Sequence, residues 1–113
     1  MIWRIRARSA FGRLSAEGRR ARAGALWCSV LFDPPGTATP PRVAFSVGRA
    51  LGPAVVRNTV RRRLRAAAQT AQAQGLLPAG DYLIGARPPA AECSYDELSA
   101  DLMRMLRSLA DRR

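Results

Sequence analysis

Arg42-Val-Ala-Phe-Ser-Val-Gly-Arg49-Ala-Leu-Gly52-Pro53-Ala-Val-Val-Arg57-Asn58-Thr-Val-Arg61-Arg62-Arg63-Leu-Arg65 is the stretch in which the hydrophobic period changes. Over residues 42–47, Val43, Phe45 and Val47 alternate with Ala44 and Ser46, the period of two that places one strand face on a core. After the turn-rich 48–52, Pro53 opens a helix, because proline is favoured in a first helical turn where a missing N–H costs nothing. From 54 to about 74, Val56, Val60, Leu64, Ala67 and Ala71 recur at spacings of three and four and make one apolar stripe. Gly75 is the expected stop. At about 100° per residue, Arg57, Arg61, Arg65, Asn58 and Arg62 fall between 0° and roughly 140°, and the stripe falls near 260–340°. Arg63 borders the stripe and is expected to snorkel from it.

The same reasoning extends outward. Residues 25–32 alternate, with Leu26, Cys28, Val30 and Phe32 on one face and Trp27, Ser29 and Leu31 on the other. Residues 81–86 read as another strand, with Tyr82 and Ile84 in the core. Residues 33–41 hold four prolines and a glycine and cannot sustain a ladder, so they form a Pro-rich surface loop. A short helix is expected over 9–17, with Ser9 as N-cap and Gly18 just past its end. The basic segment 19–24 is loop or edge strand. A last helix over 95–110 opens on Ser94 and Glu97, an S-x-x-E capping box, and carries the stripe Leu98, Leu102, Met105, Leu106 and Leu109. The expected fold is α+β: a small, mainly antiparallel sheet packed with helices, in the order αβ(β)βαβα, as one domain over residues 1–113.

Composition limits what such a domain can do. Its 113 residues are 48% hydrophobic and contain no histidine, which removes histidine bases, Ser-His-Asp triads and most zinc sites. Cys28 and Cys93 cannot form a disulfide framework and sit in no C-x-x-C pair. Cys28 reads as a buried thiol and Cys93 as inert. Glu92, Asp96, Glu97 and Asp101 read as charges around a helix start rather than a catalytic carboxylate pair. No apolar run approaches a membrane span, and the first eight residues lack the apolar stretch of a secretory signal, so a cytoplasmic protein without membrane partners is expected.

The net charge is +11, and all 19 basic residues are arginine. Residues 1–80 hold 14 arginines against 2 acids, whereas residues 81–113 hold 5 against 6. No acid stands between Asp33 and Asp81. A solvated helix face usually mixes charge signs to gain i,i+4 pairs, but Arg57, Arg61 and Arg65 repel one another. A nucleic-acid phosphate backbone is the natural counter-charge. A membrane-active or DNA-condensing protein would need an exposed apolar face beside these arginines, and here that face is committed to a core. A general or ribosomal RNA-binding module remains the alternative.

The run from Arg42 to Arg65 resembles the signature of the bacterial ribonuclease P protein family, whose RNR motif is matched around Arg57-Asn58. The resemblance continues to Phe11 and Gly18 upstream and to 81–88 and Tyr95-x-x-Leu98 downstream. It implies a helix that docks on a catalytic RNA through Arg57, Asn58, Arg61, Arg62 and Arg65, preceded by Arg49. It implies a cleft for the 5′ leader of precursor tRNA, matched at Phe11 and Arg87, to which Trp27, as a replacement stacking surface, and Ser46 are also assigned, and a left-handed crossover around the motif helix. It also implies that hydrolysis belongs to the RNA with its Mg²⁺, with no catalytic residue on the protein and no obligate protein partner. The chain departs from the pattern at Thr59, at Gly48-Arg49-Ala50, at Pro53, and at Ser15 and Ser29, where the family often has aromatics. On their own chemistry, Phe11 reads equally as core anchor or stacking surface, and Trp27 reads somewhat more as core.

Overall fold

The computed structural model of the chain describes residues 1–5 and 8–111; Arg6, Arg112 and Arg113, counted in the charge balance, lie outside them. The elements are β1 (Trp3–Arg4), α1 (Arg8–Glu17), β2 (Arg19–Ala23), β3 (Leu26–Phe32), β4 (Arg42–Val47), α2 (Ala54–Ala73), β5 (Gly80–Ala86) and α3 (Tyr95–Asp111). The segment 19–24 supplies the edge strand β2, joined to β3 by a two-residue turn with Gly24 at φ 55°. Ser9 lies inside α1 rather than capping it, since the helix already includes Arg8.

The five strands form one sheet in the order β1-β4-β5-β3-β2. The sheet is mainly antiparallel but mixed: β2–β3 and β3–β5 are antiparallel, while β1–β4 and β4–β5 are parallel. The physical reason is α2. Its 20 residues span about 30 Å and carry the chain back along the sheet, so that β5 can run beside β4 in the same direction. β1 has only two residues and no alternation to reveal it.

The layers follow from strand parity. Leu26, Cys28, Val30, Val43, Val47, Tyr82 and Ile84 are buried under α2 and α3. All five expected stripe residues of α3, Leu98, Leu102, Met105, Leu106 and Leu109, are buried. Burying each leucine contributes roughly 1.5–3 kcal/mol. The Tyr82 hydroxyl donates to the Pro78 carbonyl at 2.6 Å, and its ring meets Phe32 edge-on. α2 ends in a Schellman motif: Gly75 has φ 74° and donates to Gln72, while Leu76 donates to Ala71. The capping box of α3 is formed in both directions, Ser94 N to Glu97 and Glu97 N to Ser94 Oγ.

α1 covers the opposite face and buries Ala10 and Leu14. Gly18 makes this approach close: a Cβ there would overlap Ser29 Oγ and the Leu14 carbonyl. The Ser29 hydroxyl, itself buried, donates to that carbonyl at 3.0 Å. At one end of the sheet Arg42 bridges Asp81 at 2.6 Å and Asp33 at 2.9 Å, which ties the base of the 33–41 loop to β4 and β5. Within that loop Pro34 to Thr37 makes a hydrogen-bonded turn with Gly36 at φ 86°, the position that needs glycine in a type II turn.

Candidate nucleic-acid interface

Two basic surfaces lie on different faces of the sheet. The first is the outer side of α2. Pro53 precedes the helix, and no acid occupies the first turn. The positive end of the helix dipole is therefore uncompensated beside Arg49 and Arg57. Arg62, Arg65, Asn58 and Arg49 are exposed, whereas Arg57 and Arg61 are half-buried where the face meets the body of the protein. Arg61 is pinned from both sides: it donates to Asn58 Oδ1 at 3.2 Å and to the Val47 carbonyl at 3.3 Å. Asn58 thus orients an arginine. Arg57 Nε is buried without a hydrogen-bond partner.

Two neighbours belong to the scaffold. Arg63 donates to the Cys93 carbonyl at 2.7 Å and ties α2 to the segment before α3. Thr59, at the position where the family usually has arginine, donates to the Val55 carbonyl of its own helix at 3.0 Å.

The second surface is a groove of about 480 Å³ beside α1, lined by Phe11, Arg20, Arg22, Trp27, Leu83 and Arg87 among others. Phe11 is 40% exposed, so it is not a buried anchor. Trp27 is half-buried and takes up the space that Gly85 leaves, since a Cβ at Gly85 would overlap the indole. The side chain therefore lies across the sheet face rather than in the core. Arg87 donates to the Gly24 carbonyl, and Arg20 donates to the Ser15 carbonyl at the end of α1 at 2.8 Å. Phe11, Trp27 and Arg87 thus meet on one groove. Ser46 does not line it; it is exposed one strand further across the same face, paired in register with Gly85. Sequence reasoning missed Arg20, Arg22 and Gly85. Parity carried a signal for the arginines, because Arg20 and Arg22 pair with Ser29 and Trp27 and so share their face.

The two thiols and several of the carboxylates are engaged or buried. Burial pushes the Cys28 thiol up to about 12. Burial and the nearby carboxylates of Glu97, Asp101 and Glu92 also raise Cys93. Asp101 pairs with Arg104, and Asp33 and Asp81 share Arg42. Among the described residues no three His, Cys, Asp or Glu side chains gather as a metal site.

The comparisons agree with this architecture. The Ribonuclease P family model matches residues 2–110. A ribonuclease P protein component from Thermobifida fusca is 43% identical over 112 residues, covering 94% of this chain and 75% of the relative. One from Nocardioides is 40% identical over 103 residues, covering 91% and 87%. Among solved structures, the RNase P protein of Staphylococcus aureus superposes with a TM-score of 0.80 at 22% identity, covering 95% of this chain and 94% of that one. That of Thermotoga maritima gives 0.76 at 22% identity, covering 93% and 96%.

Proposed function

The chain belongs to the ribonuclease P protein family, and from that premise we propose a division of labour between its two basic surfaces. The protein is a component of ribonuclease P, the RNA-containing endoribonuclease that matures the 5′ end of tRNA. In our reading the α2 face binds the RNA component. Arg49, Arg57, Arg61, Arg62 and Arg65 meet phosphates, and Asn58 holds Arg61 in place. The observation that carries this is the α2 face itself, where Arg57, Arg61, Arg62 and Arg65 stand together with no acid in the first turn of the helix. Phosphates along that face would offset the repulsion among these arginines.

The groove then takes the single-stranded 5′ leader of precursor tRNA. Phe11 and Trp27 offer stacking surfaces, and Arg87 supplies charge at the rim, as single-stranded RNA sites require. Ser46 lies where a longer leader would continue across the face. The described residues do not suit Mg²⁺: no three His, Cys, Asp or Glu side chains gather among them, and Asp33 and Asp81 are both paired with Arg42. We therefore assign the holoenzyme's Mg²⁺ to the RNA, where a metal can activate water and stabilise the leaving oxygen. A single domain acting in the cytoplasm completes the proposal; no helix among the described residues is long and apolar enough to cross a membrane.

The test is reconstitution with the RNA component. The protein alone should not cleave precursor tRNA, and with RNA it should stimulate cleavage most at low Mg²⁺. In that complex Phe11→Ala should weaken precursor-tRNA binding by about 1–3 kcal/mol while mature tRNA binds as before. Equal losses for both tRNAs, or cleavage by the protein alone, would overturn the assignment.

A further inference from the structure

A second groove, of about 520 Å³, opens between β1, the edge of β4 and α2. Its lining includes Trp3, Arg4, Ile5, Phe45, Arg61 and Arg65, and none of the chain's eight acidic residues. A lone exposed aromatic needs no explanation. Trp3, 45% exposed, is different because of its company. Three arginines share the groove with it, and two of them are on the α2 face.

The strand carrying Trp3 is held firmly. Trp3 N donates to the Pro41 carbonyl at 2.8 Å, and its indole Nε1 donates to Met1 Sδ at 3.3 Å. The Met1 amino group donates to Gln72 Oε1 of α2 at 2.8 Å, and Gln72 Nε2 donates back to the Met1 carbonyl. The other wall is held by the two hydrogen bonds of Arg61. A groove lined by an aromatic ring, the apolar side chains of Phe45 and Ile5, and three arginines has the composition of a nucleotide site: the base stacks and the phosphate meets arginine.

We propose that this groove receives one unpaired nucleotide of the same RNA that the α2 face binds. The inference rests on the assignment of α2 to the RNA component. Arg61 and Arg65 belong to both surfaces, so a strand whose phosphates follow the helix passes the mouth of the groove and can turn one base into it. Arg4 adds a charge that the helix alone does not provide.

Stacking and charge leave different signatures, which makes the proposal testable with the full-length protein and the RNA component. Trp3→Ala should lower affinity roughly five- to a hundredfold without changing the dependence of log K on log salt, because no charge is removed. Trp3→Phe should restore most of the loss. Arg61→Ala should lower affinity and flatten the salt dependence together. If Trp3→Ala binds like wild type while Arg61→Ala is weakened, the groove is empty in the complex and the inference fails, though the helix assignment stands. If Trp3→Ala flattens the salt slope or Trp3→Phe does not rescue it, the loss comes from a displaced strand, and stacking is again excluded. If neither Trp3→Ala nor Arg61→Ala changes binding, the helix assignment itself fails. Chemical probing of the bound RNA should show one unpaired base protected by wild type and exposed with Trp3→Ala.

Discussion

The α2 face and the α1 groove are both basic, but they are made in different ways. The helix draws its charge from one continuous segment, where a spacing of three and four residues puts Arg57, Arg61 and Arg65 together whatever the rest of the chain does. The groove draws Phe11 from α1, Arg20 and Arg22 from β2, Trp27 from β3 and Arg87 from the end of β5. Its shape depends on two glycines that let other groups come close, Gly18 under α1 and Gly85 beneath the Trp27 indole. A surface coded by periodicity should tolerate changes elsewhere in the fold, whereas a surface assembled from four elements should fail when any one of them shifts.

The largest expected effect separates the two by charge. If about four arginines of α2 contact phosphates, log K should fall against log salt with a slope of roughly −3. Replacing Arg57 and Arg61 together with alanine should halve that slope and cost about 3 kcal/mol of RNA affinity, roughly 100-fold. The preference for precursor over mature tRNA should survive. Affinities measured across a salt series check both points, and loss of the preference would mean that the surfaces are not independent.

A smaller effect should break the groove while sparing the helix. Gly18→Ala places a methyl group against Ser29 Oγ and the Leu14 carbonyl, an overpacking that costs about 1–3 kcal/mol of stability. α1 should lift from the sheet, and the precursor-tRNA preference should decline with the melting temperature. RNA docking and its salt slope should stay. If the slope falls too, α1 supports the α2 face in a way that the contacts between elements do not suggest.

The smallest effect serves as a reference at a residue that belongs to neither surface. Ser94→Ala removes half of the α3 capping box and should lower Tm by roughly 5 °C with no change in RNA affinity. The hydrogen bonds from the Ser94 backbone and hydroxyl side hold the Glu97 carboxyl below its ordinary value of 4.5. A depressed carboxyl pKa stabilises the fold above the ordinary value, and that contribution is lost as pH falls through the folded one. The gap in Tm between wild type and Ser94→Ala should therefore narrow in acid. A gap that does not change with pH would show that the Ser94 hydroxyl takes no part in holding the Glu97 carboxyl ionised, since the backbone hydrogen bond from residue 94 survives the substitution.

How far these features could be read from sequence follows the same contrast. The three helices and the strands β3, β4 and β5 lie within about two residues of where periodicity puts them, because each carries its own repeat over six residues or more. β1 escaped because a two-residue strand has no repeat, and its partner β4 is distant in sequence. The parallel pairing of β4 with β5 was legible only through the family resemblance, because strand direction is set by the path of α2 over the sheet, not by either strand's pattern. The arginines of α2 were visible on a helical wheel. Arg61's attachment to the Val47 carbonyl was not, since it is made by the approach of α2 to the end of β4. In the groove, Trp27 and the end of β5 before Arg87 come together through the sheet register, α1 adds Phe11 by packing over that face, and the same register leaves Ser46 a strand away.

The bridge from Arg42 to Asp33 and Asp81 has a practical consequence. It closes the Pro-rich loop at its base, so the tip beyond it is held by the clamp rather than by its own length. Gly36, at that tip, has open space around the position of a Cβ. The β4–β5 register puts Arg42 and Asp81 at the opposite end of the sheet from Val47 and Ala86, and hence from the start of α2 and from Arg87. Lengthening a flexible loop twofold costs only about 0.6 kcal/mol in closure entropy. The loop is therefore a natural graft point: a purification epitope or fluorophore-acceptor peptide inserted at Gly36 would report on assembly while standing clear of Arg57 and Arg87.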